Sequence, residues 1–510
     1  MKPHLTRYWN LLLLTAAATV LSACGGTPTG PTYTTLFDAG SSGTRLSFYK
    51  VVPGNGGYPQ ISKIFEKEFN DNGINDFLNG TGTIELIDKN GANVLPGGAR
   101  PTHCTGGSLD STTNAPQVFI KNLGQQDVSP CVLEPMLAAQ DAALAENGVI
   151  RQNVKVELFA TAGMRTEESS NGGSWSDTDI RAYYQTMQTY VAGMGFATGL
   201  FKTTNGNSEE GLWTWVNLND YYRNAFGGNT SVSQSVLSPV GDFEVGGSSM
   251  QIAFPTSADS SDSANIYKVA INGRTFNVYS KTLLGMGADD ARKYVRAYQY
   301  SSQDGGLDCF ATGATVSNTT EDSGVALYPS ASLRPNLFPA NLTTTTPWFT
   351  LTATALNLTG NPSFNPTTCG NKYDTVIGQV IALPRNKNNN DALASWQELK
   401  SKLTTSSQPF VGIDNFYWTA SDLNLAVSTG FDKNTFATNL QTKCASTIAG
   451  SKLQQQAVCA NGTFMNTLLF GTNGLFTNSS AEFSGVLSPR QNGSTVLTWT
   501  RGYLLLKYAN

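Results

Sequence analysis

FDAGSSGTRLSFY, residues 37–49, sets one acid after a short apolar run, then a string of small residues and an arginine before apolar alternation resumes. The alternation from Thr34 to Val52 predicts a β-hairpin. A turn built of Gly and Ser leaves consecutive backbone N–H groups uncovered, a nest suited to phosphate oxygens. An acid on the preceding strand end suits a divalent ion or its water shell. The plainer reading is a tight turn in which Gly supplies positive φ. A second stretch weighs against that reading. FEVGGSSMQIAF begins at Phe243, 206 positions after Phe37, and repeats the pattern. Phe37 matches Phe243, Gly40 matches Gly246, Ser42 matches Ser248 and Phe48 matches Phe254. Asp38 faces Glu244, and Leu46 faces Ile252. Two such hairpins predict two homologous halves whose turns clamp adjacent phosphates across a cleft.

The intervening chain alternates helix and strand. Val132–Asn147 has helical apolar spacing, Val154–Ala160 reads as a strand ending at Thr161-Ala162-Gly163, and Ser208–Tyr222 reads as a helix opening with two acids. From 301 to 368 the chain is rich in Ser, Thr, Asn and Pro and reads as loops and short strands pinned by Cys309 and Cys369. The class is α/β.

At the N-terminus, Lys2 and Arg7 precede an apolar run from Leu11 to Leu21, and Leu21-Ser22-Ala23-Cys24 follows. This reads as a secretory signal, too short to span a bilayer. Its ending resembles a bacterial lipobox, which implies cleavage before Cys24 and lipidation of that thiol. An ordinary signal peptide with a chance Cys is the alternative. Residues 25–31 read as a tether. The remaining chain of about 485 residues exceeds one ordinary core, so two domains are expected.

Besides Cys24, six cysteines remain: Cys104, Cys131, Cys309, Cys369, Cys444 and Cys459. An even number in an exported chain suggests disulfides, and of fifteen pairings the sequential one closes the shortest loops. No C-x-x-C pair and only two histidines, His4 and His103, speak against zinc. A net charge of −4 with no basic run speaks against nucleic acid. Catalysis must then rest on carboxylates, hydroxyls, backbone amides and metal. Glu210, beside Gly211 at a helix start, is the candidate base; the competing reading is a favourable contact with the helix N-terminus.

DAGSSGTR (38–45), ATAGMR (160–165), EEGLWTWVNLNDY (209–221) and FEVGGSSMQI (243–252) follow the order of the apyrase conserved regions, and Trp499–Tyr503 is a looser fifth. The chain resembles the nucleoside triphosphate diphosphohydrolase (apyrase) family. That resemblance implies two actin-like, ribonuclease H-type domains with an interdomain active-site cleft. The expected domains are 33–163 plus about 475–510, and 164–474. It implies hydrolysis of terminal phosphates of nucleoside tri- and diphosphates with Mg²⁺ or Ca²⁺, by a monomer. Asp38 would sit by the metal and its waters. Ser41, Ser42, Gly43 and Thr44 would grip phosphate with help from Arg45. Thr161 would position the attacking water, with Glu210 as its base. Gly246, Gly247 and Ser248 would bind the terminal phosphate. Ser249, Gln251 and Trp499 would complete the water or metal shell. Arg165 would brace the fold.

Glu244 departs from the family's Asp, one methylene longer, which bears on metal preference or rate. Trp213 and Trp215 read as core, and Tyr417 in DNFYWTAS is the candidate base contact. Competing functions are an exopolyphosphatase-like enzyme of the same fold and a non-catalytic nucleotide-binding or adhesive lipoprotein. Gly25 after Cys24 favours the outer membrane, facing the periplasm or the cell surface.

Overall fold

The computed structural model describes residues 30–509, apart from 296–306, 315–361, 382–391 and shorter stretches that include Ser42. The leader and Cys24 therefore lie outside the described residues, as do most of the tether and of 301–368. Among the described residues, no helix is long and apolar enough to cross a membrane.

The expected hairpin forms from β1 (Thr32–Ala39) and β2 (Thr44–Val52), extended by β3 (Gln60–Phe69). A small sheet follows, made of β4 (Gly82–Ile87), β5 (Ser108–Asp110) and β6 (Val118–Leu123). The helix Glu134–Glu146 then leads to β7 (Val154–Ala160), which pairs parallel with β1. After the helix Asp177–Gly193, β8 (Ala197–Thr203) closes the first sheet in the order β3-β2-β1-β7-β8.

The second hairpin is β9 (Gly241–Val245) and β10 (Ser249–Pro255), followed by β11 (Ile266–Ile271) and β12 (Arg274–Leu284). With β13 (Phe410–Asp414) and β14 (Phe483–Val486) they give the order β11-β12-β10-β9-β13-β14. Without the edge strand β11, the second sheet repeats the first. Each has a hairpin, an antiparallel neighbour outside it, and two parallel strands beyond its first strand. The internal repeat seen in thirteen residues thus extends over whole sheets.

Strand periodicity decides what faces the cleft. Phe37, Ala39, Leu46 and Phe48 point into the first sheet's core, and Phe243, Val245, Met250 and Ile252 into the second's. The alternate positions, Asp38 in β1, Glu244 in β9 and Ser249 and Gln251 in β10, are left to the opposite faces. Those faces are covered by two helices, Leu212–Tyr221 and Trp499–Tyr508. Trp213 packs edge-on to Phe159 of the first sheet, while the fully buried Trp215 packs on Phe276 of the second. Both tryptophans are core, as expected. The helices approach so closely that a Cβ on Gly502 would stand 1.8 Å from the Trp213 carbonyl oxygen.

The expected domain limits need correction. Parallel pairing of β7 with β8 requires a crossover, and the helix Asp177–Gly193 supplies it by burying Ile180, Met187 and Val191 in the first core. The first sheet therefore runs to Thr203, not to 163. At the other end β14 pairs with β13 in the second sheet, so 483–486 does not return to the first. The disulfides are Cys104–Cys131, Cys309–Cys369 and Cys444–Cys459, the sequential pairing.

Candidate active site

The two hairpin turns face one another. A Cβ on Gly247 would lie 3.1 Å from the Ser41 hydroxyl oxygen and 2.9 Å from an Asp289 carboxylate oxygen, so glycine is what permits the approach. Gly163 is needed for a similar reason, since its Cβ would fall 2.9 Å from the Ser41 Cα. The second turn is held from behind. The carbonyls of Gly246, Gly247 and Ser248 accept from the backbone N–H groups of Ala288, Asp289 and Gly285, at 2.9, 3.0 and 2.7 Å. No acceptor among the described residues faces the N–H groups of Gly247 and Ser248. Carbonyls turned back and amides turned out make an anion nest.

Between the turns lies a cavity of about 330 Å³. Asp38, Ser41, Gly43, Thr44 and Arg45 line it from the first hairpin, and Glu244, Gly246, Gly247, Ser248, Ser249 and Gln251 from the second. Thr161, Glu210 and Trp499 complete the expected set. Ser42 lies outside the described residues. His103, the one histidine described, is exposed and paired with Glu134 away from the cavity.

Glu210 is not on the first turn of a regular helix. Residues Gly206–Gly211 form one wide turn closed by the bond from Glu210 N–H to the Asn205 carbonyl, 3.2 Å, and the helix proper starts at Leu212. Such wide turns recur at functional sites. Glu209 binds Lys202 and the Asn205 amide, serving the turn, whereas Glu210 points into the cavity and accepts from the Arg165 guanidinium at 2.6 Å. Arg165 is buried and does not line the cavity.

Tyr417 is the one described site residue that the structure places elsewhere. In the helix Asn415–Asp422 successive side chains diverge by about 100°. Tyr417 therefore packs against the second core, and Trp418, half-exposed, lines the cavity. Two acids were missed. Asp414, at the end of β13, pairs with Val245, and its carboxylate would stand 3.9 Å from a Cβ on Gly246. Asp289 meets Gly247 and pairs with Arg292 at 2.8 Å. The repeat gives the place of Asp414 but not its acid. Ala160 pairs with Ala39 as Asp414 pairs with Val245, so Asp414 and Asn415 occupy the places of Ala160 and Thr161.

Acid crowds this cavity. Burial pushes the Asp38 carboxyl up to about 7, against the pull of Arg45, with Glu210 and Asp414 adding to the rise. Burial likewise raises Asp414 to about 6, opposed by Arg45 and reinforced by Asp289 and Glu210. Glu244, which accepts from Thr214 at 2.8 Å, is raised well above the carboxylate range by burial, Glu210 and Asp414. Arg45 stands 3.9 Å from Asp38 and is anchored on Glu68 at 2.8 Å. No cationic side chain among the described residues pairs with Glu244 or Asp414. Excess buried carboxylate with only oxygen donors fits a hard divalent cation.

The GDA1/CD39 (nucleoside phosphatase) family model matches residues 131–509. Ectonucleoside triphosphate diphosphohydrolase 3 of Mus musculus is 23% identical over 363 residues, which are 69% of this chain and 63% of that protein. The chain thus spans less than two thirds of that relative's length. Among solved structures, one of nucleoside triphosphate hydrolases from Neospora caninum superposes with a TM-score of 0.57 at 16% identity, covering 94% of this chain and 93% of that one. The two share a fold, and in this chain it is the expected α/β pair of sheets around a cleft.

Proposed function

The chain belongs to the GDA1/CD39 (nucleoside phosphatase) family, and from that premise we propose that it hydrolyses the terminal phosphates of nucleoside tri- and diphosphates by in-line attack of water. The observation that carries this reading is the meeting of the two small-residue turns, Gly247 against Ser41, with Glu210 lining the same cavity. Amides of the Gly246–Ser248 turn would take the terminal phosphate, and the turn after Asp38, with Thr44 and Arg45, the phosphate next to it. Trp418, in place of Tyr417, would offer its face to the nucleobase.

Attack forms one oxygen–phosphorus bond and breaks the bond from phosphorus to the leaving phosphate, so no covalent enzyme intermediate is needed. The water's proton goes to Glu210. Thr161, Ser249 and Gln251 hold the water by hydrogen bonds. Asp38, Glu244 and Asp414 would hold Mg²⁺ or Ca²⁺ or its water shell in the cavity that Trp499 also lines. Such an ion would supply charge neutralisation for the phosphates.

We further read the chain as an exported lipoprotein anchored through Cys24, placed at the outer membrane. The test uses the purified chain from about Thr27 onwards, assayed for phosphate release from ATP, ADP, other nucleotides and inorganic polyphosphate, with and without chelator. Release from nucleotides that stops with chelator supports the proposal. Release from polyphosphate alone would move the chain to the exopolyphosphatase reading, and none with either cation would make it a binding protein. Glu210→Ala should lower kcat by about 10²–10⁴-fold while nucleotide binding survives, and unchanged turnover would remove Glu210 from the mechanism.

A further inference from the structure

We propose that Arg165 is a positioning residue that fixes the polarity of the attacking water's site by binding Glu210 and Ser249 at once. This rests on the reading of Glu210 as base. One terminal nitrogen of the guanidinium donates to Glu210 Oε2 at 2.6 Å and to Thr204 Oγ1 at 3.0 Å. The other donates to Ser249 Oγ at 3.2 Å. The three partners come from different elements. Thr204 follows the first sheet's last strand, Glu210 sits on the wide turn, and Ser249 opens β10 of the second sheet. A planar guanidinium offers its donors in a fixed fork, so it sets the distance and angle between Glu210 and Ser249.

The consequence lies in which hydrogen-bonding capacity is left over. A serine oxygen has two lone pairs and one proton to give. Ser249 accepts from Arg165 and also from the Gln251 side-chain amide at 2.8 Å. Both lone pairs are taken, so its hydroxyl proton is the remaining capacity, and the cavity that Ser249 lines is where an acceptor can meet it. Glu210 spends Oε2 on Arg165 and keeps Oε1. A water between them therefore donates to Glu210 and accepts from Ser249, with its other lone pair available to phosphorus. Without Arg165, Ser249 could turn its proton elsewhere and Glu210 could swing.

The experiment compares the wild-type chain with Arg165→Lys, Arg165→Ala and Glu210→Ala. It measures kcat and KM for ATP, Kd for a non-hydrolysable ATP analogue, and recovery in sub-denaturing guanidinium. Lysine keeps the buried charge but lacks the fork, so Arg165→Lys should lose about 10²-fold in kcat with KM and Kd nearly unchanged. Arg165→Ala should lose at least as much and regain about tenfold with guanidinium, whereas Glu210→Ala should regain nothing. Near-normal kcat in Arg165→Lys would overturn the inference. So would a loss of kcat and Kd together in both variants with no recovery, which marks a structural brace only. If Arg165→Ala does not fold, Arg165→Lys decides alone. Full activity in Glu210→Ala would instead fell the function proposed above, and this inference with it.

Discussion

Asp414 carries its cost in its backbone and its charge together. It is a non-glycine residue at φ 59°, and burial pushes its carboxyl up to about 6. A raised acid binds more protons folded than unfolded, so stability is lost as pH climbs from the ordinary carboxylate range through about 6. Asp414→Asn should therefore raise Tm by roughly 2 °C or more at about pH 8, with no gain at about pH 5, where the native carboxyl is already protonated. An equal gain at both, read by thermal melts, would show that charge is not the cause. The same protons compete with a cation. Mg²⁺ or Ca²⁺ affinity, measured by calorimetry, should fall as pH drops through about 7 and 6, where Asp38 and Asp414 take up protons. Asp38, Glu210, Gly246 and their neighbours could be found in the sequence because each stands in a motif that repeats or is family-like. Asp414 could not: its place corresponds to Ala160, and an acid there matches nothing in the first half. Tyr417 and Trp418 differ only in helix phase, which one aromatic run does not specify.

At the scale of elements, the helix pair between the sheets holds both hairpins in place. Gly502→Ala would drive a methyl into the Trp213 carbonyl. It should destabilise by about 3 kcal/mol or more, read from denaturant midpoints, and a loss under about 1 kcal/mol would show that the pair can slide apart. The hairpins, the helix beginning near Glu134 and the strand β7 were legible because apolar periodicity and turn residues agree there. The crossover to β8 was not, since the small-residue turn at Thr161-Ala162-Gly163 looks like an ending. It is in fact the start of the short helix Ala162–Glu167 packed behind Ser41. β13 pairs with β9 from 169 residues away, a partnership no local pattern announces.

Across the whole molecule, two sheets of like order bring matching hairpins from opposite halves to a single crevice. The fold and the cleft could be anticipated from that repeat and the motifs around it, and the cysteine pairing from loop length. Asp289, Asp414 and the domain limits could not, because tertiary pairing sets them. The most direct measurement is a crystal structure of the chain with Mg²⁺ and a non-hydrolysable ATP analogue. It should show the terminal phosphate on the Gly247 and Ser248 amides, the next phosphate on the turn after Asp38, and a water between Glu210 and Ser249. A nucleotide bound elsewhere, or phosphates touching only one of the two turns, would contradict it.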